Sequence, residues 1–195
     1  MTIMPALIIA SASPRRRDLL AQIGRTPDLV VPADIDERER RGELPRQLAL
    51  RLASAKAALV ARLHPDAIVI GADTVVAMGR RILPKAESGD DVDRCVSLLS
   101  GRRHRVIGGI CVIRGDRTWV RTVITAVSFA RLDDRQRAAY VASGEGIGKA
   151  GGYAIQGLAA AFIDAINGSY PNVVGLCVAT AGRLLDAAAM SGSRH

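Results

Sequence analysis

The sequence predicts an α/β, or mixed α+β, fold in which helices surround a mixed, curved β-sheet. Short apolar segments typical of buried strands alternate with amphipathic helical segments, and two β-hairpin patterns interrupt that alternation. Of the 195 residues, 49% are hydrophobic and 24% are charged, which is the composition of a globular chain. We expect residues 1–195 to form one domain and the tail, 191–195, to be frayed.

The first predicted elements are a strand, a tight turn and a helix. The apolar run from Leu7 to Ala10 predicts a short buried strand. Ser13 is a candidate N-cap, Pro14 suits the first helical position, and Gly24 ends the helix. Further along, the patterns predict a strand over 29–31, a polar loop over 32–42, a helix over 44–63 and a strand over 67–70.

The second half of the chain predicts two hairpins and three helical segments. The hairpins pair 74–78 with 81–83, and 105–113 with 118–129. Ser88 and Asp91 form a capping-box pattern that opens a helix through Leu99, and Gly144 ends a helix over 133–143. Periodicity leaves residues 155–166 open between a strand and a short helix, and it predicts a last helix from Asn172 towards Ala189.

The chain is strongly basic, with a formal net charge of +8 and a pI near 10.2. This charge indicates either an anionic partner or simply an arginine-rich proteome. The basic residues are spread along the chain rather than gathered in a tail, and aromatic residues are only 3%. Both facts argue against nucleic acid as a partner.

The cysteines and the apolar segments indicate a cytoplasmic protein. Cys95, Cys111 and Cys177 are odd in number and widely spaced, so neither a zinc site nor a disulfide framework is expected. The run from Leu7 to Ala10 is too short for a secretory signal, and no stretch reaches transmembrane length. We therefore expect a reducing compartment and no membrane association.

The glycine-rich stretch GEGIGK, residues 144–149, is superficially similar to a phosphate-binding loop. It is one residue short, Ala150 stands where Ser or Thr is required, and no predicted strand precedes it. It therefore predicts no Walker motif, although Lys149 remains a cation on a flexible loop.

Three consecutive arginines, 15–17, stand at the predicted start of the first helix. The helix dipole disfavours cations there, unless an anion binds the free backbone N–H groups beside them. Arg15 and Arg16 then predict a phosphate site, since guanidinium groups match phosphate oxygens. The alternative is an exposed basic helix start that costs only ~0.3–1 kcal/mol per charge.

Acidic residues and lysines complete a possible hydrolytic site. Asp73 comes after the predicted strand over 67–70, separated from it only by Gly71 and Ala72. At such a position a carboxylate can hold Mg²⁺, activate a water or cap a turn. Asp36 and Glu37 either complete a metal site or are solvated charges. Together with Lys56 and Lys85, these groups are the ones that hydrolysis of a nucleoside triphosphate needs.

Four segments carry a resemblance to a known family: LIIASASPRRRDLL, IVIGADTVV, SGRRHRV and KAGGYAIQGLAAAFIDAINGSYPNVVGL. In order and spacing they resemble the Maf family of nucleoside triphosphate pyrophosphatases, over roughly residues 7–185. The resemblance implies a Maf/Ham1-like (anticodon-binding/ITPase-like) fold, an elongated twisted mixed sheet with two lobes around a cleft. It also implies cleavage between the α and β phosphates, a divalent cation (Mg²⁺ or Mn²⁺), a homodimer and a role in clearing unwanted nucleotides.

The resemblance also assigns roles to residues of this chain. Asp73 matches the catalytic acid, as proton acceptor or metal ligand, and Glu37 matches a metal-binding position. Gln156 matches the branch that acts on dTTP and UTP, whereas the 7-methyl-GTP branch carries an acid there. The other matching positions bind phosphates (Ser11, Arg15, Arg16, Lys56 and Lys85) or are associated with substrate choice (Arg15, Thr74 and Gln156).

This chain departs from the family pattern at three positions. Ala86 follows Lys85 where Pro is usual, Gly108 replaces Thr, and Cys177 stands where Pro is common. None removes a catalytic group, but they leave the base preference open. The alternatives are a family member for another or modified base, such as 7-methyl-GTP, and a non-enzymatic, polyanion-binding regulator of septum formation.

Overall fold

The computed structural model describes residues 5–191, and its centre is a seven-stranded mixed sheet. A short 3₁₀ helix (Leu158–Phe162) accompanies the regular helices. The strands are β1 (Leu7–Ile9), β2 (Leu29–Val30), β3 (Ile68–Met78), β4 (Arg81–Leu83), β5 (Arg103–Arg114), β6 (Arg117–Phe129) and β7 (Ile163–Asn167), and the helices are α1 (Pro14–Gln22), α2 (Pro45–Leu63), α3 (Gly89–Leu99), α4 (Asp134–Ser143), α5 (Tyr170–Val174) and α6 (Val178–Met190).

The sheet has the order β2-β1-β3-β5-β6-β7, and helices flank it, as the sequence predicted. β1 runs parallel to both β2 and β3, whereas the remaining pairs are antiparallel. Alternate residues of β3 face opposite sides. Ile70 and Val76 join the large core with the other helices, whereas Val69 and Val75 join smaller clusters under α2.

One edge of β3 is interrupted, and this gap positions the functional site. β5 pairs with β3 continuously from Ile68 to Ala77. On the opposite edge, β1 pairs only with residues 68–70 and β4 only with 76–78. Residues 71–75 therefore have no neighbouring strand on that edge, and side chains from both faces of the sheet reach the same opening.

The position of Asp73 within β3 corrects a sequence-based expectation. Asp73 was expected just after a strand, with Thr74 opening a hairpin, but both lie inside one strand of 11 residues. Pairing with the distant β5 carries the strand through the Gly-Ala-Asp-Thr stretch, where the apolar pattern stops. The gap beside β3, rather than a strand end, gives Asp73 its opening.

Helix α2 packs unusually close to the sheet because two glycines face it. A Cβ on Gly71 would lie 2.4 Å from the carbonyl oxygen of Ala53, and one on Gly109 would lie 2.1 Å from that of Ala49. The small alanines on this face of α2 complete the close contact. This approach brings Lys56 of α2 within reach of Asp73.

We expect Gly71→Ala to lower the free energy of unfolding by about 1–3 kcal/mol, because the added methyl group overpacks a rigid backbone contact. The measurement is urea unfolding followed by circular dichroism. Gly182→Ala is the matched control: this helical glycine has only the tip of Ile23 nearby, at 3.6 Å. Alanine should there raise stability by about 0.5–1 kcal/mol, so an equal loss in both variants would contradict the close-packing argument.

The structure of the C-terminal third decides between the alternatives that the sequence left open there. Residues 155–166 contain both proposed structures, the 3₁₀ helix and then the start of β7. The single last helix was wrong, since α5 and α6 are separate and Gly175, with φ of 149°, breaks them. Ser191 caps α6, and the rest of the expected frayed tail lies outside the described residues. Between residues 5 and 191, no helix is long and apolar enough to cross a membrane.

Candidate active site

The gap beside β3 opens into a cleft of about 540 Å³. Its walls come from the start of α1, the middle of β3, the segment after β4, the loop before the 3₁₀ helix and the end of α5. The cleft brings together most of the residues that the sequence singled out. Those lining it are Arg15, Arg16, Lys56, Asp73, Thr74, Lys85 and Gln156.

A chain of alternating charges crosses the cleft. The Lys56 ammonium lies 2.7 Å from Asp73 Oδ1 and 2.5 Å from Glu37 Oε1. The other oxygen of Glu37, Oε2, lies 2.5 Å from Lys85 Nζ. Lys56 and Asp73 are buried, with side chains 8% and 7% exposed, whereas Lys85 is 55% exposed. Two carboxylates thus converge on one buried ammonium group.

The two lysine partners of Glu37 keep its carboxylate ionised. Burial alone would raise the pKa of Glu37, but hydrogen bonds from Lys56 and Lys85, together with their charges, lower it to about 2. The polar loop before α2 is therefore anchored to the cleft by an ionised carboxylate at neutral pH.

The Arg16 side chain connects three segments of the chain around the cleft by hydrogen bonds. Its guanidinium donates to the carbonyl oxygen of Gly175 at 3.0 Å, to Ser11 Oγ at 3.1 Å and to Thr74 Oγ1 at 3.2 Å. Burial lowers the pKa of Arg16 from its ordinary value, and the Asp73 and Glu37 carboxylates oppose that shift. Much of the donor capacity of Arg16 therefore serves the protein itself.

The neighbouring arginine is differently placed. Arg15 lines the cleft and makes no hydrogen bond or ion pair with any residue in the described range. Ser11 is buried and lies behind Arg16, and its hydroxyl also accepts from the backbone N–H of Ser13. The geometry favours Arg15 as the freer anion-binding group, and direct phosphate binding by Ser11 stays a prediction.

Two predicted specificity residues lie on different walls of the cleft. Thr74 donates to the Gly175 carbonyl at 3.3 Å while accepting from Arg16, so its hydroxyl is fixed in direction. The Gln156 side chain is exposed and belongs to the loop before the 3₁₀ helix. Their roles in substrate choice stay predictions, as does that of Arg15.

Sequence reasoning left out two contributors to the cleft. Lys149, which the sequence indicated only as a loop cation, lines it. Gly175 supplies the carbonyl that joins Arg16 to Thr74, and its signal in the sequence was a glycine inside an otherwise helical pattern. In contrast, Asp36 pairs with Arg38 on the surface, as expected for a solvated charge.

An aromatic cluster supports the base of the cleft. Tyr153 lines it, and its hydroxyl lies 2.8 Å from Nε2 of the buried His104. Phe129 contacts both rings edge-on. Burial lowers the pKa of His104 from 6.5 to about 4, so the imidazole is neutral at pH 7.

We expect the stability of this protein to decrease as the pH falls from about 6.5 to 4, partly through His104. In that range the unfolded chain binds a proton at this imidazole and the folded chain does not, so protons favour unfolding. The measurement is urea unfolding at several pH values, compared with His104→Gln. The variant should have a flatter pH dependence in this window, and equal slopes would contradict the assignment.

The carboxylate pair fits a divalent cation only in part. Asp73 and Glu37 both contact the position of one cation, the Lys56 ammonium. Within residues 5–191, however, no cluster of three or more His, Cys, Asp or Glu residues could hold a metal. Mg²⁺ is commonly held by one or two carboxylates together with phosphate oxygens and water, and this donor set suits that arrangement.

The fold and the cleft define a protein whose site places basic side chains next to a pair of carboxylates, an arrangement suited to a polyanion. Five basic side chains line the cleft, and the acids are placed to act on or neutralise what these bases hold. The chain belongs to the Maf family: a family model described as Maf-like protein matches residues 6–188.

Relatives of known name agree with this membership. The chain is 59% identical over 184 residues to a dTTP/UTP pyrophosphatase of Paramagnetospirillum magneticum, covering 94% of this chain and 97% of the relative. It is 60% identical over 173 residues to one of Caulobacter vibrioides, covering 88% and 90%. It is 56% identical over 182 residues to one of Cereibacter sphaeroides, covering 93% and 94%.

Proposed function

We propose that this protein hydrolyses dTTP and UTP to the monophosphate and pyrophosphate. The observation that carries the proposal is the convergence of Asp73 and the basic side chains in one cleft of a Maf-family chain, with Glu37 paired to two of the lysines, Lys56 and Lys85. Similar relatives bear the name dTTP/UTP pyrophosphatase and match over nearly their whole length.

In the proposed reaction, a water attacks the α phosphorus and the bond to the oxygen bridging the α and β phosphates breaks. Asp73 accepts the proton of the water. Lys56 binds its Oδ1, so Oδ2 is the atom we expect to take that proton. Pyrophosphate leaves with the bridging oxygen, and Arg15 and Lys85 stabilise its charge.

We propose that Asp73 and Glu37 hold Mg²⁺ or Mn²⁺ together with the substrate. When bound, the cation would neutralise phosphate charge and polarise the phosphate oxygens. Phosphates and a cation would compete with the present ion pairs, because Glu37 now contacts both Lys56 and Lys85. Substrate binding therefore requires the loop that carries Glu37 to exchange its lysine contacts for others.

We assign the choice of base to Gln156, with Arg15 and Thr74. A carboxamide both donates and accepts, and so can match the O4 and N3–H edge of uracil or thymine. Cytosine presents a donor and an acceptor at the reversed positions, which the amide would match if turned by 180°, so the choice of uracil or thymine requires the amide to be held in one orientation. Gln156 lines the cleft as an exposed side chain, so a base can reach it.

The test is pyrophosphate release from dTTP, UTP, CTP, 7-methyl-GTP and ATP, each with Mg²⁺ and with Mn²⁺. We expect dTTP and UTP to be preferred and chelation of the metal to stop the reaction. Preference for another base would overturn the substrate assignment but keep the chemistry. No release from any nucleotide would favour the alternative of a polyanion-binding regulator.

We further propose a cytoplasmic homodimer that acts in nucleotide-pool cleaning. The three cysteines are free and buried, in agreement with a reducing compartment. Sedimentation equilibrium would test the dimer, and a monomer at micromolar concentration would contradict it.

A further inference from the structure

The glycine-rich segment, residues 144–149, joins two walls of the cleft. At one end it pairs with the chain around Lys85: Gly148 donates to the Ala86 carbonyl at 2.7 Å, and Ala86 donates to the Lys149 carbonyl at 3.1 Å. Gly144, with φ of 70°, begins the segment by ending α4. The segment is thus fixed on the side of the cleft where Lys85 lies.

Its other contact reaches the loop that carries Gln156. The carboxylate of Glu145 accepts from the backbone N–H of Leu158 at 2.7 Å. It lies so close to Gly157 that a Cβ there would come within 2.0 Å of Glu145 Oε2. The carboxylate therefore binds the backbone of Leu158, 13 positions later in the chain, and packs against Gly157, the residue that directly follows Gln156.

This contact bears on where the backbone of Gln156 lies. Its side chain is exposed, so packing does not fix it, and the backbone of its loop sets the position from which the amide reaches into the cleft. Besides Glu145, the loop is held by a turn in which Gly157 donates to the Ala154 carbonyl at 3.1 Å, by the Ala154 N–H donating to Tyr140 Oη at 3.1 Å, and by the buried side chains of Ile155 and Ala159. A hydrogen bond to a charged acceptor is among the stronger ones, so the bond to Glu145 adds to these contacts on the side of the loop that follows Gln156.

We propose that Glu145 is a positioning residue that sets base selectivity by fixing the loop of Gln156. The inference rests on the proposed function, since it assigns a role in choosing the base. The glycine-rich segment then has a role other than phosphate binding. It connects the side of the cleft where Lys85 lies to the side where Gln156 lies.

The test compares Glu145→Ala with Glu145→Gln. Both remove the charge, but the glutamine carbonyl can still accept from Leu158. For Glu145→Ala we expect KM for UTP to rise at least about tenfold with kcat little changed, and the preference for UTP over CTP to fall by a similar factor. Glu145→Gln should restore most of both. Unchanged selectivity in Glu145→Ala, or equal loss in the two variants, would overturn the proposal.

Leu158→Pro tests the same hydrogen bond from its donor side. Leu158 is the first residue of the 3₁₀ helix and 55% exposed, a position where proline is tolerated and little packing is lost. This variant should repeat the effect of Glu145→Ala, and the double variant should add little to either single one. Additive losses would overturn the proposal, and Leu158→Pro gives the answer even if Glu145→Ala does not fold.

Hydrogen exchange separates this inference from the proposed function. The amide of Leu158 should exchange slowly in the wild type and in Glu145→Gln, and markedly faster in Glu145→Ala, whatever nucleotide the protein prefers. Slow exchange in Glu145→Ala would overturn the positioning role even if dTTP and UTP are the substrates. A wild type that does not prefer dTTP and UTP would overturn both the substrate assignment and the selectivity role, while exchange would still report on the contact itself.

Discussion

Asp73→Asn is expected to fold like the wild type and to lose about 10²–10⁴-fold in kcat for dTTP and UTP. Asparagine keeps the shape of the side chain but cannot take a proton from the attacking water. Folding should survive because Lys56 keeps the Glu37 carboxylate at 2.5 Å. The measurement is the steady-state rate of pyrophosphate release, with circular dichroism and thermal unfolding as checks on the fold.

Asp36→Asn is the matched control for this variant. Asp36 directly precedes Glu37 in the same loop, but it pairs with Arg38 on the surface. It should therefore keep wild-type kcat and the same response to Mg²⁺. Near wild-type turnover by Asp73→Asn would contradict the catalytic assignment, and a large loss in Asp36→Asn would show that this loop acts in another way.

The apolar patterns predicted most elements because their cause is local. β1 and the start of α1 follow from an apolar run, a proline at the first helical position and Gly24. The capping box of Ser88 and Asp91 also formed as predicted, with Ser88 Oγ accepting from the Asp91 N–H. These signals act within a few residues, so no knowledge of the partner segment is needed.

The misplaced elements depend on contacts far away in sequence. β3 continues through Asp73 because β5 pairs beside it, more than 30 positions later in the chain. The last helix is broken at Gly175, whose φ is 149° and whose carbonyl accepts from the distant Arg16 and Thr74. Neither partner can be found from periodicity within the segment itself.

The residues of the site also fall into two groups, those predicted from the local sequence and those that required distant contacts. Arg15 and Arg16 were predicted from the helix start alone, because cations at that terminus need an explanation. Glu37 lies in a loop without periodicity, and only the family resemblance separated it from its neighbour Asp36. The pairing of Lys56 with Asp73 needed the structure, because it depends on how closely α2 approaches the glycines of the sheet.

Lys56→Met is expected to lower the free energy of unfolding by about 3–5 kcal/mol at pH 7. Methionine fills similar space, so the loss comes from the Asp73 carboxylate, which stays buried without its cation. Glu37 is 36% exposed and can be solvated, so it contributes less to this loss. The measurement is urea unfolding. The dependence of the unfolding free energy on urea concentration should be the same as in the wild type, which shows that the same transition is compared.

Lys85→Met provides the comparison, since both lysines contact Glu37 but Lys85 is 55% exposed. It should cost only about 0–1 kcal/mol, as exposed ion pairs do. The double variant Lys56→Met with Asp73→Asn should be more stable than Lys56→Met alone, because the buried charge is gone as well. Equal losses for the two lysines, or no recovery in the double variant, would mean that the Lys56–Asp73 pair is hydrated. In that case the close packing of α2 against Gly71 would not exclude water from the pair. Water would reach the Asp73 carboxylate between α2 and the sheet as well as through the cleft.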